Sequence, residues 1–132
     1  MSDKTKILLV DDEPDLVQLV SLRLVTAGYE VAVAYDGQQA LDRVKESKPD
    51  LIILDLMLPK MDGYKVCRLL KFDERYQKVP ILIFTARAQA EDIKLAMDCG
   101  ADAYLTKPFE APVLLEKLKE LLDTAKSAEK KD

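Results

Sequence analysis

Four places along this sequence put a charged or reactive side chain directly after a short apolar run. Asp11 and Asp12 follow Lys6–Val10, Asp55 follows Leu51–Leu54, Thr85 follows the run at 81–84, and Lys107 stands ahead of Pro108 after the run at 103–105. In an open parallel sheet, ligands sit in the crevice beyond the carboxyl ends of the strands. Three acids, a hydroxyl and an ammonium gathered there describe a site for a divalent cation and a phosphoryl group. Adjacent like charges on one strand, close to a third on its neighbour, repel one another in a partly desolvated site. A hard cation relieves that repulsion, and Mg²⁺ suits it because it takes one or two carboxylates while keeping waters or phosphate oxygens. Asp55 can then act as a nucleophile toward phosphorus and give an aspartyl phosphate. Such a transfer asks the protein mainly for positioning and charge stabilisation. Lys107 supplies positive charge and Thr85 a donor.

Each residue also has a plainer role when taken alone. Asp11, Asp12 and Glu13 could cap a helix and complement its dipole. Asp55 could be a solvated turn residue, Thr85 a helix cap and Lys107 a surface lysine. The coincidence of four strand ends, each presenting a group that one chemistry needs, outweighs those separate readings.

The bulk composition sets the frame. At 132 residues the chain is long enough for one domain with a single core. It is 48% hydrophobic and 33% charged, with a net charge of −4. That balance argues against nucleic-acid binding by this chain, which rests on clustered Lys and Arg. No apolar run approaches the roughly 20 residues of a membrane span. Ile7–Val10 is too short for a signal-peptide core and runs straight into acids. The absence of histidine excludes a Ser-His-Asp triad, and two cysteines alone cannot build a zinc site. Cys67 and Cys99 form no C-x-x-C and read as reduced thiols in or near the core of a cytoplasmic protein.

Strand-like and helix-like patterns alternate five times, which implies βαβ units and a parallel sheet. The first helix has Pro14 in its first turn, Leu16, Val20 and Leu24 on its apolar face, and Gly28 as its stop. Glu30–Ala34 alternates with period two, as a strand with one more exposed face would. Asp36-Gly37 looks like a hairpin turn, but the helical spacing of Ala40, Leu41 and Val44 favours a strand-to-helix turn. Leu51–Leu54 is continuously apolar, fitting a central strand buried on both faces. A third helix runs through Val66, Leu69 and Leu70, and a more polar fourth helix over 90–97 stops at Gly100. The last helix, 111–125, buries Leu114, Leu118, Leu121 and Leu122. The organisation is thus an N-terminal extension over 1–5, one domain over 6–125 and a polar, frayed tail over 126–132.

The stretches LLVDDE (8–13), DLIILDLMLPKMDG (50–63), ILIFTA (81–86) and GADAYLTKPF (100–109) resemble the receiver domain of bacterial two-component response regulators. The resemblance runs from about residue 6 to 122. It implies a doubly wound, flavodoxin-like α/β fold with five parallel strands in the order 2-1-3-4-5. It implies Asp55 as phosphoacceptor, with Asp11, Asp12, Asp55 and the backbone carbonyl of Met57 as Mg²⁺ ligands. Thr85, Lys107 and the backbone N–H of Ala86 would contact the phosphoryl group. Tyr104 would be an aromatic switch that turns inward as Thr85 moves, and the Lys107-Pro108 bond would be cis. The implied function is a cytoplasmic phosphorelay switch, loaded by a histidine kinase or phosphotransfer protein. It would be no enzyme beyond Mg²⁺-dependent self-phosphorylation and autodephosphorylation. Its output would be a protein target bound through the face of the fourth helix, fifth strand and fifth helix, by a monomer or weak dimer.

Some positions depart from one branch of the family. Receivers of winged-helix transcription factors usually carry Arg and Asp where this chain has Ile93 and Ala103, while Lys117 and Lys119 partly match. That pattern points away from their dimer and from a DNA-binding output, and because the sequence stops after the fifth helix it reads as either a stand-alone receiver or one excised from a longer protein. Three other readings compete, one of them a metal-only structural domain without phosphorylation. A haloacid-dehalogenase-type phosphatase needs a second Asp two residues after the nucleophile, where Met57 stands. A flavodoxin-like nucleotide module needs a Ser/Thr/Gly-rich phosphate loop where Asp11-Asp12-Glu13 stands.

Overall fold

The computed structural model describes residues 4–130, with side chains through Ser127. Five strands alternate with five helices: β1 (Lys6–Val10), α1 (Pro14–Thr26), β2 (Glu30–Ala34), α2 (Gly37–Ser47), β3 (Leu51–Leu54), α3 (Gly63–Lys71), β4 (Ile81–Thr85), α4 (Ala90–Asp98), β5 (Ala103–Thr106) and α5 (Ala111–Lys130). All pairings are parallel and the order is β2-β1-β3-β4-β5, as the resemblance implies.

Successive side chains of a strand point to opposite faces, so each central strand feeds two cores. Leu8, Val10, Ile52, Leu54, Ile81 and Ile83 pack with residues of α2, α3 and α4. Ile7, Leu9, Leu51, Ile53, Leu82 and Phe84 pack with α1 and α5. β3 and β4 are buried along their whole length, which is why they read as unbroken apolar runs.

Four details differ from the sequence pattern. β2 shows no clean alternation but is half-buried at three successive positions, because an edge strand is only partly covered on each face. In α3 the buried set is Val66, Cys67 and Leu70, while Leu69 faces solvent. α5 continues to Lys130, because no Gly or Pro interrupts the sequence after 125. Residues 126–130 are therefore helical, not a frayed tail, and 131–132 and 1–3 lie outside the described residues. Leu121, expected in the core, is only partly buried beside it.

Turns go as their residues require. Asp36 caps α2, its carboxylate accepting from Gln39 N at 2.8 Å, so Asp36-Gly37 is a strand-to-helix turn. Gly28 and Gly100 follow α1 and α4 with φ of +99° and +102°, where a side chain would be strained. At the N-terminal edge of the sheet, Asp102 Oδ2 accepts from Ile81 N at 2.8 Å and from Lys71 Nζ at 2.9 Å. Lys71 Nζ also donates to Val79 O at 3.0 Å, and Asp50 Oδ2 accepts from Lys6 N at 2.8 Å. Side chains thus stitch the starts of β4 and β5 to the end of α3, and the start of β1 to the residue before β3.

Candidate functional site

The carboxyl edge of the sheet collects the four expected groups. β1 delivers Asp11, Asp12 and Glu13, β3 delivers Asp55, β4 ends in Thr85, and β5 leads to Lys107. Register fixes their level: Val10 pairs with Leu54, and Thr85 with Thr106. Asp55 N donates to Val10 O at 3.0 Å and Lys107 N to Thr85 O at 2.8 Å, tying the residues after the strands into the ladder. One carboxylate oxygen from each of Asp11, Asp12 and Asp55 lies within 4.8 Å of the others. Asp11 and Asp55 are buried and Asp12 is exposed.

The helix-cap reading of the first acids fails here. Glu13 precedes α1 without a side-chain cap bond, and Asp11 Oδ1 instead turns back to accept from Glu13 N at 3.1 Å. Thr85 caps nothing either, since Gln89 holds the N-cap position of α4. Asp55 Oδ1 accepts from Met57 N at 3.1 Å, which orients its other oxygen toward the lysine. The Lys107-Pro108 bond is cis, as expected.

Lys107 reaches into the acids. Its Nζ lies 2.8 Å from Asp11 Oδ2, 3.0 Å from Asp55 Oδ2 and 3.0 Å from Glu13 Oε1. Burial alone would lower the lysine pKa, but the close carboxylates of Asp11, Glu13 and Asp55 overcome this and raise it above the ordinary value. For Asp11, burial comes first and raises the carboxyl above its ordinary range, with the Asp55 charge adding to the rise. The Lys107 contact lowers it without cancelling that cost. Although Asp11 Oδ2 sits close to the ammonium, the approach is badly angled, and this buried oxygen has no well-directed hydrogen bond among the described residues. Three carboxylates share one ammonium, with the Asp12 carboxylate beside them, and a buried acceptor is left short of a partner. That donor set fits a hard divalent cation.

Thr85 is wholly buried, with its Oγ1 3.5 Å from Arg87 N. Ala86 is exposed at the start of the β4–α4 loop. Tyr104 on β5 donates from its hydroxyl to Arg87 O at 2.6 Å. Burial, then the nearby Tyr64 and Asp92, push its phenol up to about 12. Glu13 was not singled out by sequence as a partner of Lys107, which lies 94 positions away. Only its place in the run of three acids hinted at it. Gly63 was likewise missed as a site element: its Cα backs directly onto the main chain of Asp55 and Leu56.

A doubly wound parallel sheet in the order 2-1-3-4-5 defines the flavodoxin-like class of α/β proteins, and here its switch point holds an acidic pocket. Within that class the chain belongs to the response regulator receiver domains, whose family model matches residues 7–119. It is 46% identical over 117 residues to the DNA-binding dual master transcriptional regulator RpaA of Synechocystis, covering 89% of this chain and 48% of that protein. The CheY-like response regulator receiver domain protein of Methanospirillum hungatei superposes with a TM-score of 0.89 at 28% identity, over 96% of this chain and 99% of that one. The receiver domain of the Pseudomonas aeruginosa sensor histidine kinase PA1611, crystallised with a magnesium ion in its active-site cleft, gives 0.84 at 32% identity, over 91% and 98%. The chain spans about half the length of the curated relatives it matches. RpaA and the mycobacterial regulator MtrA are DNA-binding regulators, which the residues at Ile93 and Ala103 did not indicate. No helix among the described residues is long and apolar enough to cross a membrane.

Proposed function

We propose that this receiver accepts a phosphoryl group on Asp55 from the phosphohistidine of a histidine kinase or phosphotransfer protein, and that the modification switches partner binding. The observation that carries the reading is the shared ammonium: Asp55 Oδ2 is held 3.0 Å from Lys107 Nζ amid surplus negative charge. An Asp55 carboxylate oxygen attacks phosphorus, the P–N bond of the donor breaks, and its electron pair returns to the imidazole nitrogen. Lys107 moves from carboxylate to phosphoryl oxygen, while Thr85 Oγ1 and the Ala86 N–H donate to the others. Asp11, Asp12, Asp55 and the Met57 carbonyl would hold Mg²⁺, whose charge offsets the acids and the incoming dianion. Asp55 Oδ1 stays oriented by Met57 N throughout.

Tyr104 senses the displacement of Thr85 from the next strand, so the signal leaves through α4, β5 and α5 toward a protein target. The chain is a cytoplasmic switch of monomer or weak-dimer habit, and it turns over only its own phosphoryl group. DNA binding belongs to whatever output domain it serves. In the test, acetyl phosphate with Mg²⁺ adds one hydroxylamine-labile phosphoryl group to the wild type and none to Asp55→Asn. Equal labelling of the two proteins by intact-mass spectrometry refutes the assignment.

A further inference from the structure

Outside the acid pocket, side chains from three elements meet around one carboxylate. Asp92, in the first turn of α4, accepts from Tyr64 OH on α3 at 3.3 Å and lies 3.6 Å from Arg87 NH1 in the β4–α4 loop. Tyr104 joins from β5 through its bond to Arg87 O. The Asp92 side chain is 20% exposed, so these contacts are only partly screened by water. Burial first, then the Asp92 charge, raise the Tyr64 phenol above its ordinary pKa, which keeps it a donor at neutral pH.

The position of this cluster matters because α4 is weakly anchored. Of its nine residues only Ala96 is buried, while Leu95 and Met97 face solvent. A helix with so little apolar anchorage is placed largely by its polar ties. Both ties lead back to the acid pocket. Tyr64 follows Gly63, whose backbone is pressed against that of Asp55. Arg87 lies two residues past Thr85, its N–H 3.5 Å from the Thr85 hydroxyl. The path through α3 is physically separate from the one that runs from Thr85 to Tyr104 along β4 and β5.

We propose that the Tyr64–Asp92 contact is a clamp that holds α4 in its resting position and must yield when the site is phosphorylated. The proposal rests on the Asp55 reading above. As Thr85 moves toward a phosphoryl group it draws the Arg87 segment with it. Asp92 then loses the neighbour that positions it for Tyr64, and α4 is free to shift.

The test uses backbone amide NMR shifts of residues 90–98, with beryllofluoride and Mg²⁺ standing in for the phosphoryl group. Free and beryllofluoride-bound wild type define a line between resting and shifted α4. Tyr64→Phe, which keeps the ring and removes the donor, should lie part way along that line without beryllofluoride. The shifted population should rise about fivefold, the equivalent of one ordinary hydrogen bond. Asp92→Asn should move the same way, and Lys65→Ala, the exposed neighbour on α3, should stay at the wild-type position. Coincidence of free Tyr64→Phe with free wild type overturns the clamp. So does displacement off the line together with a lowered urea midpoint, which would mean a loosened fold. Wild type that ignores beryllofluoride overturns the phosphoacceptor reading and the clamp with it. Wild type that responds while Tyr64→Phe does not depart from it overturns the clamp alone.

Discussion

Gly63→Ala should damage both stability and chemistry, for a reason visible in the backbone. Gly63 opens α3 and donates its N–H to Leu56 O at 3.0 Å. A Cβ there would overlap Asp55 O and sit 2.6 Å from Leu56 Cα and 3.0 Å from Asp55 C. Ordinary carbon contacts lie at about 3.5–4.0 Å, so the two segments must part by roughly 1 Å. Every atom met belongs to the main chain, so no side-chain rotation offers relief. Overpacking of this kind costs about 1–3 kcal/mol. Stiffening the unfolded chain returns about 0.4–1 kcal/mol, and Gly63 has no positive φ to add strain. The net loss should be about 1–2 kcal/mol in a urea melt without metal. The larger effect should fall on acetyl phosphate labelling, because a displacement of about 1 Å at reacting atoms can cost about 100-fold. Gly37→Ala is the matched control: the three atoms nearest its Cβ would be Met61 Cβ and O, each at 2.6 Å, and Val66 Cγ2 at 3.0 Å, none of them from Asp55. Gly37→Ala should be destabilised while labelling far faster than Gly63→Ala. A Gly63→Ala protein as stable as wild type and labelled at the same rate refutes the argument.

Three further outcomes follow from the same geometry. Because burial and the Asp55 charge hold the Asp11 carboxyl above its ordinary pKa, its contribution to stability is present below about pH 4 and lost as pH rises through the raised value. Asp11→Asn should therefore be at least as stable as wild type near neutrality in EDTA, yet gain less from Mg²⁺; a clear loss of stability there would make Asp11 a structural acid. Thr85→Ala should still be phosphorylated on Asp55 but pass little of the change to Tyr104 and α4, and full-sized NMR shifts at those places on adding beryllofluoride would break that coupling. Burial, then the neighbouring Cys99, raise the Cys67 thiol to about 12, and both thiols are fully covered. Native protein should accordingly resist iodoacetamide near pH 8 and react only on unfolding, whereas fast labelling would show that the α3–α4 region opens.

The strand ends were legible because a parallel sheet brings every carboxyl end to one edge, so an apolar run followed by Asp11, Asp55 or Thr85 already states where that side chain lies. The same logic does not name partners. Lys107 could have chosen any acid at the edge, and its contact with Glu13 depends on how deeply the β5–α5 segment dips. Helix phase was readable to within one or two residues: Leu16 was expected inside, but Val17 takes the buried place in α1, and Cys67 takes the one assigned to Leu69 in α3. In both cases a neighbour of similar polarity satisfied the period equally well. Tyr64, Arg87 and Asp92 gave no signal at all, since a phenol, a guanidinium and a carboxylate on three elements look like ordinary surface residues until the fold joins them.

The stitches around Asp102 and Lys71 give the domain a mechanical asymmetry. At the start of the strands, one carboxylate and one ammonium pin β4, β5 and α3 together, and Asp50 fastens β1 beside them. At the opposite edge, the β4–α4 loop and α4 hang from a few polar contacts. Such a body behaves as a cantilever, clamped at its root and compliant at its tip. A push applied near Asp55 is absorbed little by the clamped root and appears mainly as deflection at the tip. Cutting the root, as in Asp102→Ala, would spread the same push over the whole sheet. The protein would bend everywhere and signal nowhere, even with every residue of the acid pocket intact.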